Sequence, residues 1–231
     1  MTPRDDTTPA TDPIDPAGGE SQYSAQYCAQ YSDVPLFPLG TVLFPDGALP
    51  LRIFEARYMD MVRECMKRDR EFGVCRIIHG TESGPAADHE SVGCLARIVH
   101  WDMPQLGLLH IRATGTRRFT VGARRVEPNA LIRADIELIG ADEPTPIPEI
   151  LAPCSDLLRR LVEELDHRAA PTAHAVNRPY RFDCAGWVAN RLAEFLPIDQ
   201  ATKQSLMALE EPLGRLYLVK RILEERGIVS T

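Results

Sequence analysis

The chain has 231 residues, 44% hydrophobic and 26% charged, a balance that suits a soluble globular protein and excludes fibrous and wholly disordered classes. No uncharged apolar run approaches the ~18 residues of a spanning helix, and Met1 to Glu20 lacks a stretch suited to a signal peptide, so we expect no membrane partner and a cytoplasmic location. The net charge of −7 argues against global attraction to nucleic acid.

Six cysteines (28, 65, 75, 94, 154, 184) show no CxxC and no short-spaced ladder, which implies reduced, mostly buried thiols and no disulfides. Residues 1–32 are rich in Thr, Pro, Asp, Gly, Ser and Gln, with five acids against Arg4. They offer too little apolar surface to offset an ordering cost of about 1 to 2 kcal/mol per residue, so a disordered tail is expected. Within it Tyr23, Tyr27 and Tyr31 recur every four residues. A repeat-expanded low-complexity tract explains this better than a partner-binding helix.

From Val34 to Leu51 short apolar runs alternate with Pro and Gly, the pattern of short strands joined by turns. Phe54, Tyr58, Met61, Val62, Cys65 and Met66 then fall at helical spacing, and basic Lys67, Arg68 and Arg70 suit a helix C-terminus. This predicts a helix over 55–69 whose Phe54–Tyr58–Val62–Cys65 face plugs the β-rich part. Phe72–Ile78 is a buried strand, followed by a polar loop over 80–90. Val92–Trp101 and Leu106–Thr114 form a hairpin across Asp102–Gln105, and Arg118–Val121 and Leu131–Leu138 supply further strands.

Prolines at 144, 146, 148 and 153 break the chain, after which periodicity turns helical. The apolar stripes are Leu151/Leu158/Leu161/Val162/Leu165, then Trp187/Val188/Leu192/Phe195, then Leu213/Leu216/Tyr217/Leu223. Asp183 and Asp199 fit N-cap positions, and Pro212 a first helical turn. The expected organisation is a tail over 1–32, a β-rich unit over 33–140 and a helical unit over 141–231, an α+β fold.

The residues of the first unit resemble the LON substrate-binding domain found at the N-terminus of bacterial Lon proteases and within cereblon. The resemblance rests on Pro35-Leu36-Phe37-Pro38-Leu39, Val42-Leu43-Phe44-Pro45, Leu49-Pro50-Leu51 and Ile53-Phe54-Glu55-Ala56-Arg57-Tyr58. Phe72-Gly73-Val74, Val92–Ile98, Gly115-Thr116-Arg117-Arg118-Phe119 and Leu192–Pro197 support it over about 33–227. Asp46 stands where the family tends to run Phe-Pro-Gly, and Ala56 replaces a frequent Pro. The resemblance implies a small, mostly antiparallel PUA-like β-barrel with one packed helix, followed by a C-terminal helical bundle. In it Phe37, Leu39, Phe44 and Leu51 close the barrel, while Glu55, Arg57 and Arg118 tie strand ends together.

The resemblance transfers no catalytic residue. The three lysines, Lys67, Lys203 and Lys220, follow Met, Thr and Val, so no Walker A loop exists, and Lys203 and Ser205 point to different faces of a helix. Cys75, His79, His89 and Cys94 match no zinc spacing, so neither metal nor cofactor is expected. Seven arginines lie between Arg97 and Arg133 against Asp102 and Glu127, with Arg112 and Arg118 expected to point outward. The function implied is a non-catalytic polypeptide-binding protein, a proteostasis adaptor. Its candidate surface holds Arg112, Arg117, Arg118, Arg57 and Glu55. The alternative is an RNA- or anion-binding module using the arginine-rich strands.

Overall fold

The computed structural model describes residues 29–168 and 176–229; the tyrosine repeat up to Cys28 lies outside them. Seven strands come first with one helix among them: β1 (Gln30–Leu39), β2 (Ala48–Ile53), α1 (Ala56–Arg68), β3 (Phe72–His79), β4 (Asp88–His89), β5 (Val92–Gln105), β6 (Leu108–Val126) and β7 (Ile132–Leu138). Four helices follow: α2 (Ala152–Arg168), α3 (Ala185–Phe195), α4 (Gln200–Ala208) and α5 (Pro212–Glu225).

The strands run in the order β1-β7-β6-β5-β3-β4, and β1 also pairs in parallel with β3, so the pairing returns to its start. The other pairings are antiparallel, including β2 on β6. Side chains of β1 alternate between two cores, as a strand buried on both faces requires. Val34 and Leu36 join Phe119, Ile132 and Ile136. Phe37 and Leu39 join Tyr58, Met61, Val62 and Phe72 beneath α1. The Phe37 and Tyr58 rings stack with centroids 3.9 Å apart.

A third core holds α2 to α5 together through Leu158, Trp187, Leu192, Leu216 and Leu223, and Phe44 belongs to it with no exposed surface. Phe44 therefore anchors the helices to the sheet instead of closing the strands. The turn that delivers it has its Gly47 N–H donating to the Phe44 carbonyl at 3.0 Å, with Asp46 at φ 62. This left-handed conformation favours Gly, so Asp46 costs some backbone strain. Gly115 packs on the same turn, where an added Cβ would lie 2.1 Å from the Phe44 carbonyl oxygen, so only Gly fits.

Several expectations are corrected. Strand pairing begins at Gln30 opposite Glu137, so residues 30–32 are part of β1 rather than of a tail. Arg118–Val121 is no separate strand but the middle of β6, and the hairpin reaches Gln105 and Leu108 around a turn at Leu106-Gly107. Gly107, at φ 85, takes the left-handed conformation this tight turn needs.

Helix α1 starts at Ala56, because β2 continues to Ile53 and Glu55 remains extended (φ −80, ψ 135) as its N-cap. Phe54 thus lies outside the helix and is 65% exposed, whereas Tyr58, Val62 and Cys65 are buried. Cys184, not Asp183, occupies the N-cap of α3. Asp199 caps α4, its carboxylate accepting from Thr202 N–H, and Pro212 opens α5.

Candidate binding surface

In the far half of the β5–β6 hairpin, β6 stays in the sheet, paired to β2 with Leu109 and Ile111 buried, while β5 forms a free, exposed edge. Gly93 to Ala96 are buried where β3 pairs with β5, whereas from Val99 to Gln105 every residue of β5 is exposed. Apolar side chains stay on this part regardless: Val99 and Trp101 are each 52% exposed and Leu106 is 97% exposed. Met103 is partly exposed as well. Phe54 joins them by register, since it follows Ile53, whose partner Leu109 lies just past the hairpin turn. Val99 and Trp101 also border a shallow cleft of about 210 Å³ against Met66 and Arg70 at the end of α1. Several large exposed apolar side chains on one strand and its turn make this a candidate site for another molecule.

The five residues named from sequence separate into two groups. Arg112 and Arg117 are exposed on β6 and have no ion-pair partner among the described residues. Arg118 is 3% exposed, which corrects the expectation that it faces solvent. It does point away from Phe119, but the helices cover that face. Its guanidinium donates to the carbonyls of Met207 at 3.2 Å and Leu209 at 2.7 Å, and to Asp142 Oδ1 at 2.8 Å. A bulge lets Leu95 face two residues of β6 between the Cys94–Arg118 and Ala96–Gly115 pairs, which leaves Arg117 outside.

Arg215, 1% exposed, meets the other oxygen of Asp142 at 2.5 Å and Asn190 Oδ1 at 3.0 Å. Two buried arginines thus share one carboxylate, and burial, then the adjacent Arg215, hold the Arg118 guanidinium below its ordinary pKa. Main-chain carbonyls at the end of α4 supply the remaining acceptors, which is how such charges stay satisfied away from water. Arg191, also 1% exposed, repeats the device by donating to the Pro45 carbonyl at 2.6 Å and to Glu194 at 2.9 Å.

Arg57 and Glu55 stand apart from this junction. Arg57 is 5% exposed, pairs with Glu55 at 2.9 Å, and donates to the Ala130 carbonyl at 3.0 Å. It also lies 4.5 Å over the Tyr58 ring. The pair fastens the start of α1 to the loop before β7.

Two clefts adjoin the Arg118 junction and share Asp46, Arg181 and Trp187. The first, about 210 Å³, lies over Thr116, Arg117 and Asp142. The second, about 260 Å³, is bordered by Val99, Arg112, Thr114, Asn177 and Arg178. Sequence reasoning missed Asp142, Arg178, Arg181 and Asn177, because their role depends on packing the 177–182 segment against β6. Away from the clefts, burial pushes the Cys75 thiol up to about 12 and raises that of Cys94 as well. No cluster of three or more His, Cys, Asp or Glu side chains suits a metal ion among the described residues. No helix among them is long and apolar enough to cross a membrane.

Comparison with known proteins fits this architecture. Residues 33–225 match the family described as the ATP-dependent protease La (LON) substrate-binding domain. The chain belongs to that family. It is 23% identical over 201 residues to the Lon protease of Anaeromyxobacter dehalogenans, and 23% identical over the same length to Lon protease 2 of Myxococcus xanthus. These matches take in 84% of this chain but only 23% and 24% of those proteins, so the chain spans about a quarter of their length.

Among solved structures, the Lon N-terminal domain protein from Xanthomonas campestris is 31% identical with a TM-score of 0.68, covering 83% of this chain and 98% of that one. The N-terminal domain of a Mycobacterium avium complex Lon protease, 17% identical with a TM-score of 0.54, covers 82% of this chain and 96% of that one and shares the fold. The matched region is the substrate-binding part of Lon, which is non-catalytic.

Proposed function

We propose that this chain binds polypeptide segments on the outer half of the β5–β6 hairpin and acts as a non-catalytic adaptor in cytoplasmic proteostasis. The observation that supports this most is the apolar surface at Trp101, Met103, Leu106 and Phe54, which the fold leaves uncovered. Burying it against the apolar side chains of an unfolded chain would be favourable at about 25 cal/mol per Å². Membership of a substrate-binding family supports the same reading. The closed strand pairing supports treating β1, β3, β5, β6 and β7 as a small PUA-like barrel, followed by a helical bundle beyond residue 140.

The arginine-rich segment gives weaker support to nucleic acid. Arg118 and Arg133 are buried, Arg124 pairs with Asp88, Arg125 with Asp33 and Arg97 with Glu71. Only Arg112 and Arg117 of the seven then have no ion-pair partner among the described residues. We take these two as contacts for the bound chain, and Arg118, Arg57 and Glu55 as parts of the frame.

The test is a titration of a labelled, permanently unfolded polypeptide against wild type and Trp101→Ser/Leu106→Ser. We expect affinity to fall at least tenfold in the variant with the unfolding midpoint unchanged. Equal affinity would overturn the assignment to the hairpin. Purified protein is also expected to leave ATP and casein intact. Turnover abolished by mutating one of this chain's own residues would overturn the non-catalytic reading.

A further inference from the structure

Within the polypeptide-binding reading, on which this inference rests, we propose that the paired clefts beside Arg112 and Arg117 take a carboxylate side chain, so that the chain selects apolar segments flanked by Asp or Glu. Five arginines (112, 117, 118, 178 and 181) border the two clefts against Asp46 and Asp142, a cationic excess in a chain of net charge −7. The excess reaches inward, because Asp142 is shared between Arg118 and Arg215. Arg181 is held by Asp46, and Arg178 lies 3.6 Å from Asp166 and over the Tyr180 ring. Arg112 and Arg117 have no such partner and are the donors open to an incoming anion. Guanidinium groups suit carboxylates because their paired N–H groups match both oxygens.

The position of the clefts fixes the kind of ligand. Val99 borders both the Arg112 cleft and the mixed cleft at Trp101, Met66 and Arg70. Trp101 lies opposite Ile111 and Arg112 opposite His100, on alternate faces, so a polypeptide rounding the free β5 edge at Val99 with an apolar side chain beside Trp101 directs an acidic neighbour toward Arg112. Nucleic acid fits less well, since the aromatic side chain lining the basic clefts, Trp187, is 4% exposed and offers no face for base stacking.

Three labelled peptides with one common apolar core, flanked by Asp, Asn or Lys pairs, test this with the full chain by fluorescence anisotropy. The Asp peptide should bind about threefold to tenfold more tightly than the Asn peptide, the range for a few exposed charge pairs, and the Lys peptide more weakly. The Asp preference should vanish in Arg112→Gln/Arg117→Gln and in about 1 M salt, where screening acts over about 3 Å. The preference is read as the ratio of Asp to Asn affinities within each protein, so a loss common to both peptides does not alter it. Equal binding of Asp and Asn peptides by wild type, or a preference that survives in the variant, overturns the carboxylate site and leaves the hairpin reading standing. No binding by any of the three overturns both. A labelled RNA of matched charge that binds more tightly than the Asp peptide overturns the choice of ligand.

Discussion

The junction between sheet and helices and the tip of the β5–β6 hairpin reverse the usual placement of side chains. At the junction, guanidinium groups of Arg118, Arg191 and Arg215 are almost wholly buried; at the tip, Trp101 and Leu106 stand in water. Burial therefore follows from available partners rather than from polarity alone. Each buried arginine finds carbonyls at the end of a helix or in a turn, plus a carboxylate. Among the described residues, nothing covers the tip side chains Trp101, Met103 and Leu106, which stay exposed.

The largest effect should come from breaking the junction. Asp142→Ala leaves two buried guanidinium groups without their shared counter-ion, a change that costs about 3 to 5 kcal/mol in comparable pairs. Chemical unfolding should show that loss or yield insoluble protein. A variant of near wild-type stability would mean that water reaches the junction. Next, Phe72→Ala, at a side chain with no exposed surface, should cost about 3 to 5 kcal/mol, whereas Phe54→Ala should stay within about 0.5 kcal/mol of wild type. Equal losses at the two positions would show that the tip is packed in solution.

Acidity provides a subtler probe of the junction. Burial pushes Glu194 up to about 7 from 4.5, against the pull of Arg191 and Lys203. The folded state then holds this proton more tightly than the unfolded state, so Glu194 makes stability fall as pH rises from about 4.5 to about 7. His89 acts in the opposite direction, because burial keeps it neutral and acid must charge it. The difference in stability between wild type and Glu194→Gln across this window isolates the glutamate, and a flat difference would place its carboxylate in water. The smallest change should be Arg63→Ala, whose ion pair with Asp60 is largely exposed; its midpoint should match wild type.

The contrast also explains what the sequence revealed. The short strands within Val34–Leu51, the Tyr58–Val62–Cys65 stripe and the Asp199 cap rest on local sequence pattern, which survives any tertiary arrangement. Phe54 failed because a helical spacing from Tyr58 cannot show that the chain is still extended at Glu55. The outward alternation of Arg118 was sound, but a strand pattern carries no information about the helices that later cover that face. The clefts were hidden for the same reason, since Asn177 reaches β6 across 63 residues of sequence and Arg181 reaches Asp46 across 135.

The double pairing of β1 has a consequence for how the chain acquires its shape. β3 is available soon after β1 and can pair with it early, but the other edge waits for β7, where Arg133 reaches the Asp33 carbonyl across 100 residues. Until then Val34 and Leu36 line an open edge, and Phe44 has no pocket before α3 and α5 exist. Closing so distant a contact is entropically slow. A nascent chain emerging N-terminus first thus exposes an adhesive strand until β7 follows it, a window in which aggregation competes with folding.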